Sequence, residues 1–267
     1  MAFGFGSAAG AAPKTSFKVA WSIYVGWMPW GYASDHGIVK KWADKYGINI
    51  ELTQFNDYVE SMNQYTAGAF DAVTLTNMDG LSIPAAGGVD TTAVIVGDFS
   101  NGNDAVILKD KASLSDIKGQ NVNLVEFSVS HYLLARALES IKLSERDVKV
   151  VNTSDADMVA AYKTPDVSAV VTWNPLVSTI LEDPSAKKVF DSSQVPGEII
   201  DLMVAITDVL KGQSEFRQGS RRHLVRDGRA AAGRYRRGQS RPRSHGRSIR
   251  HRSRRLRGAA GRDQALR

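Results

Sequence analysis

Two tryptophans and two tyrosines fall within nine residues, in the segment Tyr24-Val25-Gly26-Trp27-Met28-Pro29-Trp30-Gly31-Tyr32. Rings at this density can stack on a flat solute or hold a cation against their faces. Gly26, Pro29 and Gly31 break any strand, and the rings follow neither a helical nor a strand period. Any one of them serves equally as core filler. Together they read as an aromatic wall for a ligand.

The elements around this wall alternate in kind. Residues 17–23 alternate well enough for a strand, so the rings sit on a loop at its carboxyl end. In an open α/β sheet ligands bind at such ends. Residues 33–46 read as the following helix, with Ile38, Val39, Trp42 and Tyr46 on one face and Gly47 past its end. Further strands are expected at 48–52, 70–75, 91–96, 105–108, 122–125, 148–151, 167–172 and 199–206. Between them fall a helix at 57–65 capped by Asp57, one at 131–141, and one through Tyr162 capped by Ser154 or Asp155. Residues 76–80 and 98–104 read as loop and crossover, and 189–190 only as the approach to Pro196-Gly197. The fold class is α/β, built from doubly wound units.

Charge divides the chain in two. Residues 1–216 carry 14 Lys and 2 Arg against 26 Asp and Glu, whereas residues 217–267 carry 18 Arg, no Lys and 2 Asp. The overall +6 therefore averages two unlike pieces. The tail is either a basic arm for an anionic surface or out-of-frame translation of a GC-rich gene, whose alphabet it matches. In either case it cannot bury a core, and disorder is expected over 217–267. Residues 1–14 are small and apolar, with Ala9-Gly10-Ala11 as an A-x-A cleavage site but no positive segment ahead of it. They read as a leader or the remnant of a secretory signal, and export is the expectation. With no cysteine there is no disulfide, thiolate metal site or thiol nucleophile.

Several segments together resemble the periplasmic solute-binding proteins of nitrate/sulfonate/taurine-type ABC importers. These are Ala67-Gly68-Ala69-Phe70-Asp71-Ala72, Ser115-Asp116-Ile117-Lys118-Gly119-Gln120-Asn121-Val122, residues 155–161, and Ala169-Val170-Val171-Thr172-Trp173-Asn174-Pro175. Residues 192–201 are most similar to the branch associated with urea. The resemblance implies a two-lobed (type II) periplasmic-binding-protein-like fold with hinge crossovers. The first lobe would take residues 15–100 and 203–216, the second 101–202, and the first would be incomplete at its carboxyl end. It also implies a small-molecule solute, a membrane permease as partner, a monomer, and a periplasmic location. No cofactor, metal or specific nucleic acid is expected.

In that fold, strand-end loops of both lobes face a cleft. The resemblance thus places Tyr24, Trp27, Trp30, Asn77 and Asp79 on one side of it. On the other side it places Glu126, Ser128, Ser130, His131, Trp173, Asn174 and Glu198. None of these loops holds Lys or Arg, which nitrate or a sulfonate would want. Rings with carboxylates suit a planar nitrogenous solute, urea or a guanidinium-like ion. Each cation–π contact supplies roughly 0.5–2 kcal/mol. A micromolar binder needs about 8 kcal/mol, so directed hydrogen bonds must add to the rings. Plainer roles stand beside these: Ser128 and Ser130 as helix caps, His131 as a helix-start residue, Asp79 as a turn cap, Glu198 as a solvated charge.

Taurine, sulfonate or nitrate is the alternative solute. An enzyme on the same fold, such as a thiamine-pyrimidine synthase, would want histidine with clustered cysteine or metal ligands. Here the first 216 residues offer only His36 and His131. The chain has no H-E-x-x-H, phosphate loop or dinucleotide fingerprint. A receptor, not an enzyme, is the expectation.

Overall fold

The computed structural model describes residues 14–211. The leader ahead of Lys14, the Arg-rich tail at 217–267 and the 212–216 part of the expected first lobe lie outside the described residues.

The chain first lays down β1 (Ser16–Ser22), α1 (Met28–Asp35), α2 (Ile38–Tyr46), β2 (Asn49–Phe55), α3 (Tyr58–Thr66), β3 (Ala72–Thr76), α4 (Asn77–Gly80) and β4 (Thr91–Phe99). It crosses over to β5 (Asp104–Lys109), β6 (Asn121–Leu124), α5 (Val129–Ser140), β7 (Lys149–Asn152), α6 (Asp155–Tyr162), β8 (Ala169–Trp173), α7 (Leu176–Ile180) and β9 (Ala186–Asp191). It then returns as β10 (Ile200–Ile206) and α8 (Thr207–Leu210). Two five-stranded sheets result, ordered β2-β1-β3-β10-β4 and β7-β6-β8-β5-β9. In each, three neighbouring strands run parallel, one strand (β10 or β5) runs the other way, and the edge strand beyond it runs with the trio. This is the two-lobed α/β architecture expected.

The two crossovers are tied to each other. Ser100 N donates to the Ile199 carbonyl at 3.0 Å, and Gly102 N donates to Ser192 Oγ at 2.8 Å. Ser100 Oγ and Ser192 Oγ lie 2.8 Å apart, both buried. Short paired segments of this kind are where one lobe can rotate on the other. β10 enters the first sheet at Ile200, ahead of the expected boundary at 203.

Four local expectations differ from the structure. The predicted aromatic loop becomes helical at Met28, because Pro29 is tolerated in a first turn where its missing N–H costs nothing. The helix expected over 33–46 is two helices, since Gly37 turns the chain at φ 67°. Residues 76–80, expected as loop, form α4, capped by the Thr76 hydroxyl. β9 was hidden by its composition: it is an edge strand whose exposed Lys187 and Lys188 mask the apolar alternation.

α5 packs on the second sheet through Leu133, Leu134, Ala137 and Leu138, all fully buried. Each leucine contributes roughly 1.5–3 kcal/mol by leaving water. Trp21, Tyr24, Trp27 and Tyr58 of the first lobe and Leu134, Val171 and Trp173 of the second belong to one continuous apolar cluster. The lobes are therefore closed on one another.

Candidate functional site

Strand ends from both sheets converge on a small cavity where the lobes meet. β1 runs into Tyr24 and Trp27, β3 ends at Thr76, and β8 ends at Trp173. β5 and β10 run the opposite way, so Asp104 and Asp201, at the starts of those strands, arrive at the same edge. Tyr58 opens α3, which Asp57 caps by accepting from Glu60 N. With Val129 these residues line a gap of about 10 Å³, enough for one water-sized group. A larger solute enters only as the lobes part.

The rings form a chain across the closed cleft. Tyr24 meets Trp27 edge-on at 5.1 Å, Trp27 lies 5.3 Å from Tyr58, and Tyr58 meets Trp173 edge-on at 5.5 Å. Such pairs each contribute about 0.5–1.5 kcal/mol beyond burial. Hydrogen bonds stitch the lobes at the same place. Trp173 Nε1 donates to the Ile23 carbonyl at 3.0 Å, Val25 N to the Asn174 carbonyl at 3.0 Å, and Tyr58 N to Asp155 Oδ1 at 3.1 Å.

Around the rings stand carboxyl groups with no cation among them. Asp79, Asp104 and Asp201 are 1 to 3 % exposed, and no Lys, Arg or His lines the gap. Burial pushes Asp79 up to about 6 and Asp104 up to about 7. Hydrogen bonds from Tyr58 and Thr76 hold Asp79 back from rising further. Asp201 rises well above the carboxylate range through burial and then through Asp98, which stands opposite it in the sheet. Burial and the facing Asp201, Asp98 and Asp104 also push the Tyr24 phenol far up, so it stays protonated. Asp155 rises to about 6 by burial.

Polar atoms are left over here. Asp201 Oδ2, Asp79 Oδ1 and Trp27 Nε1 are buried without a hydrogen-bond partner. Leaving a buried polar group unpaired costs about 1–3 kcal/mol. Gly26 allows the cluster to form: a Cβ there would lie 2.3 Å from Asp98 Oδ2 and 2.6 Å from Tyr24 Cε1.

The residues singled out from sequence divide sharply. Tyr24, Trp27 and Trp173 come together at the gap, with Asp79 behind Tyr58, whose hydroxyl donates to it at 2.6 Å. Trp30 does not join them; it is half-buried in α1 and packs toward Ala33, Val39 and Leu52. Asn77 ties α4 to the chain entering β10, donating to the Glu198 carbonyl and accepting from Ile200 N, both at 3.0 Å. Glu198 is held by Arg136 Nε at 2.9 Å and the Tyr132 hydroxyl at 2.6 Å, contacts that hold its carboxyl below its usual range. It is an ion-pair residue away from the gap. Glu126 is half-exposed, and its N–H donates to Asn152 Oδ1 at 3.0 Å.

At the α5 start Ser128 follows its plainer reading as the cap, and Ser130 does not. Ser128 caps the helix, accepting from Ser130 N at 3.2 Å. Ser130 is fully buried, its hydroxyl unpartnered. His131 accepts from Phe127 N through Nδ1 at 3.1 Å and points Nε2 at Glu145, 3.4 Å away. Asn174 turns its side-chain oxygen to Ser178, accepting from its N–H at 3.1 Å, while its backbone serves the cleft. Tyr58, Asp98, Asp104 and Asp201 were missed. Asp201 carried a signal, a lone charge inside the apolar run Ile199-Ile200-Asp201-Leu202-Met203-Val204.

Among the described residues no cluster of His, Cys, Asp and Glu could hold a metal ion, and no helix is long and apolar enough to cross a membrane. A protein of Brucella abortus (strain 2308) named as a binding protein is 27% identical over 151 residues, 56% of this chain and 45% of its own length. The taurine-binding periplasmic protein of Escherichia coli (strain K12) is 22% identical over 154 residues, 57% of this chain and 47% of its own. In these matches the chain spans about half the length of either relative. The alkanesulfonate-binding protein SsuA of Xanthomonas axonopodis pv. citri, solved with MOPS bound, shares the fold at a TM-score of 0.71 and 18% identity. That likeness covers 85% of this chain and 78% of the other. The sequence pattern of the NMT1-like family runs from residue 11 to residue 213, and the chain belongs to that family.

Proposed function

We propose that the chain is the extracytoplasmic solute-binding receptor of an ABC importer, closing its two lobes on a small planar nitrogenous solute, urea or a guanidinium-like ion. The observation that carries this reading is the interlobe gap itself, where Tyr24, Trp27, Tyr58 and Trp173 from both lobes surround Asp104 and Asp201. Flat faces and hydrogen-bond acceptors recognise a planar molecule rich in N–H groups. The permease that would receive the solute is the membrane partner, and the periplasm is where such a receptor works.

A taurine, sulfonate or nitrate receptor is the second reading, favoured by what the named relatives bind. The gap argues against it. An anion would meet two buried carboxyl groups and no Lys or Arg among the lining residues, and burying a charge without an opposite partner is costly.

A thermal-shift panel of urea, guanidinium, taurine, nitrate and a short alkanesulfonate decides between them. A rise in melting temperature with urea or guanidinium is expected. A rise with taurine or the sulfonate alone overturns the nitrogenous-solute reading.

A further inference from the structure

We infer that the gap selects by charge, taking a planar monovalent cation of the guanidinium or amidinium class over its neutral isostere urea, with the facing Asp98–Asp201 carboxyl pair and Asp104 as the charge acceptors, and releasing protons as it binds. This rests on the receptor reading above and narrows it.

The geometry supplies the argument. Asp98 and Asp201 are direct partners on the β10–β4 ladder, so their side chains leave the same face of the sheet. Tyr24 clamps the pair from the first lobe, its hydroxyl donating to Asp98 Oδ1 at 3.3 Å. Asp104 comes in from the second lobe, its carboxyl held by the Ser100 hydroxyl. Asp201 lines the gap, is 2 % exposed and has an oxygen with no partner. Trp27 lines it too, 5 % exposed, and its indole N–H lacks an acceptor.

The groups that face Asp201 come from every element around it. They are Tyr24 after β1, Tyr58 on α3, Asp98 on β4 and Asp104 on β5, with Asp79 on α4 behind Tyr58. None of them is cationic. In the closed, solute-free site burial raises Asp104 and Asp201, and neighbouring carboxyls raise them further, so these two keep protons. A bound cation removes that need, so it displaces protons rather than adding a charge. The carboxylic acid O–H bond breaks, the proton leaves to solvent, and the carboxylate accepts N–H bonds from the ion.

Urea shares the N–H donors of guanidinium and adds one group that guanidinium lacks. Its carbonyl could accept from Trp27 Nε1, which guanidinium, a donor only, cannot do. A hydrogen bond between a charged donor and a carboxylate is stronger than one between neutral groups. With several carboxyl oxygens available, the charged ligand wins.

The test is titration calorimetry on the full chain with guanidinium chloride, urea and a sodium chloride control, each in two buffers of different ionisation enthalpy at pH 6.5. Guanidinium is expected to bind at least about tenfold more tightly than urea, and to release protons that urea does not. Asp201→Asn is expected to lose about tenfold or more of the guanidinium affinity, more than it loses of urea affinity, and to lower the proton release. Asp98→Asn, at a half-buried site, gives the same reading if Asp201→Asn does not fold, and the wild-type proton count needs neither variant. Urea binding as tightly as guanidinium, or guanidinium binding with no proton released, overturns the inference while the receptor reading stands. Binding of taurine or a sulfonate and neither nitrogen compound overturns the receptor's nitrogenous solute itself.

Discussion

Asp201 stands opposite Asp98 across the β10–β4 ladder, at the edge of the sheet that faces the second lobe. Like charges directly opposite one another destabilise a sheet pair, and burial sharpens the effect. Gly26 and Tyr24 fit closely around the Asp98 carboxyl, which leaves little room for a counter-ion side chain. The arrangement lowers stability in the empty protein. It is the kind of local cost that binding sites carry and packed cores do not.

That cost has a pH signature. Asp79 and Asp155 rise to about 6 and Asp104 to about 7, from an ordinary 3.8, and Asp201 rises further. A raised carboxyl holds its proton more tightly folded than unfolded. Stability is therefore highest below the raised values and falls as pH climbs from about 4 through about 7. Asp104 alone accounts for about 4 kcal/mol over that window as an order of magnitude. Asp147, Asp183 and Asp191 are held low by hydrogen bonds and nearby lysines, so they weaken the fold only at more acid pH. The melting temperature of the solute-free protein is expected to peak near pH 4 and decline toward pH 8. A melting temperature that rises over that interval would contradict the burial of these carboxyls.

Much of this was legible before the structure. Strand–helix alternation gave the doubly wound α/β class, because parallel strands buried on two faces read as apolar runs, and the division into two lobes came from the family resemblance. Asp57, Ser128 and Ser154 announced their helices as side-chain caps. The aromatic segment also pointed to the cleft, though only Tyr24 and Trp27 reach it. What stayed hidden depends on pairing across distant strands. Asp98, Asp104 and Asp201 lie on separate strands, and only the register of β10 against β4 makes two of them neighbours. Glu198 misled for the same reason, since nothing local shows that Arg136, 62 residues away, will hold it.

Tyr58 ties α3 to the carboxyl cluster through one oxygen, which donates to Asp79 Oδ2 at 2.6 Å and accepts from Thr76 N at 3.0 Å. Tyr58→Phe keeps the ring contacts with Trp27 and Trp173 and removes both bonds. Two buried groups are then left short, at a cost of about 1–3 kcal/mol each before relaxation. Asp79 loses a bond that lowers it and rises further. The expected result is a lower melting temperature with a larger deficit at pH 8 than at pH 5. An equal deficit at both would mean Asp79 is insensitive to Tyr58.

Glu198 gives the opposite kind of prediction. Its side chain is 32% exposed and that of Arg136 35% exposed, so water screens the pair. Exposed or half-exposed ion pairs net at most about 1 kcal/mol. Glu198→Gln is expected to cost less than that in thermal stability and to leave solute affinity unchanged. Loss of binding in this variant would return Glu198 to the site.

Trp173 closes the cleft by a single directed bond, from its Nε1 to the Ile23 carbonyl 150 residues away in the other lobe, at 3.0 Å. Trp173→Phe removes that bond, worth about 0.5–1.5 kcal/mol net, and keeps an aromatic edge against Tyr58. Each lobe retains its own sheet, so the melting temperature should change little. The closed form, however, is disfavoured by up to about tenfold, since 1.4 kcal/mol is one decade in an equilibrium constant. X-ray scattering should then show a larger radius of gyration for the solute-free variant, and solute should dissociate faster. An unchanged radius together with an unchanged off-rate would place the closing energy elsewhere, in the Val25–Asn174 and Tyr58–Asp155 bonds that cross the same gap.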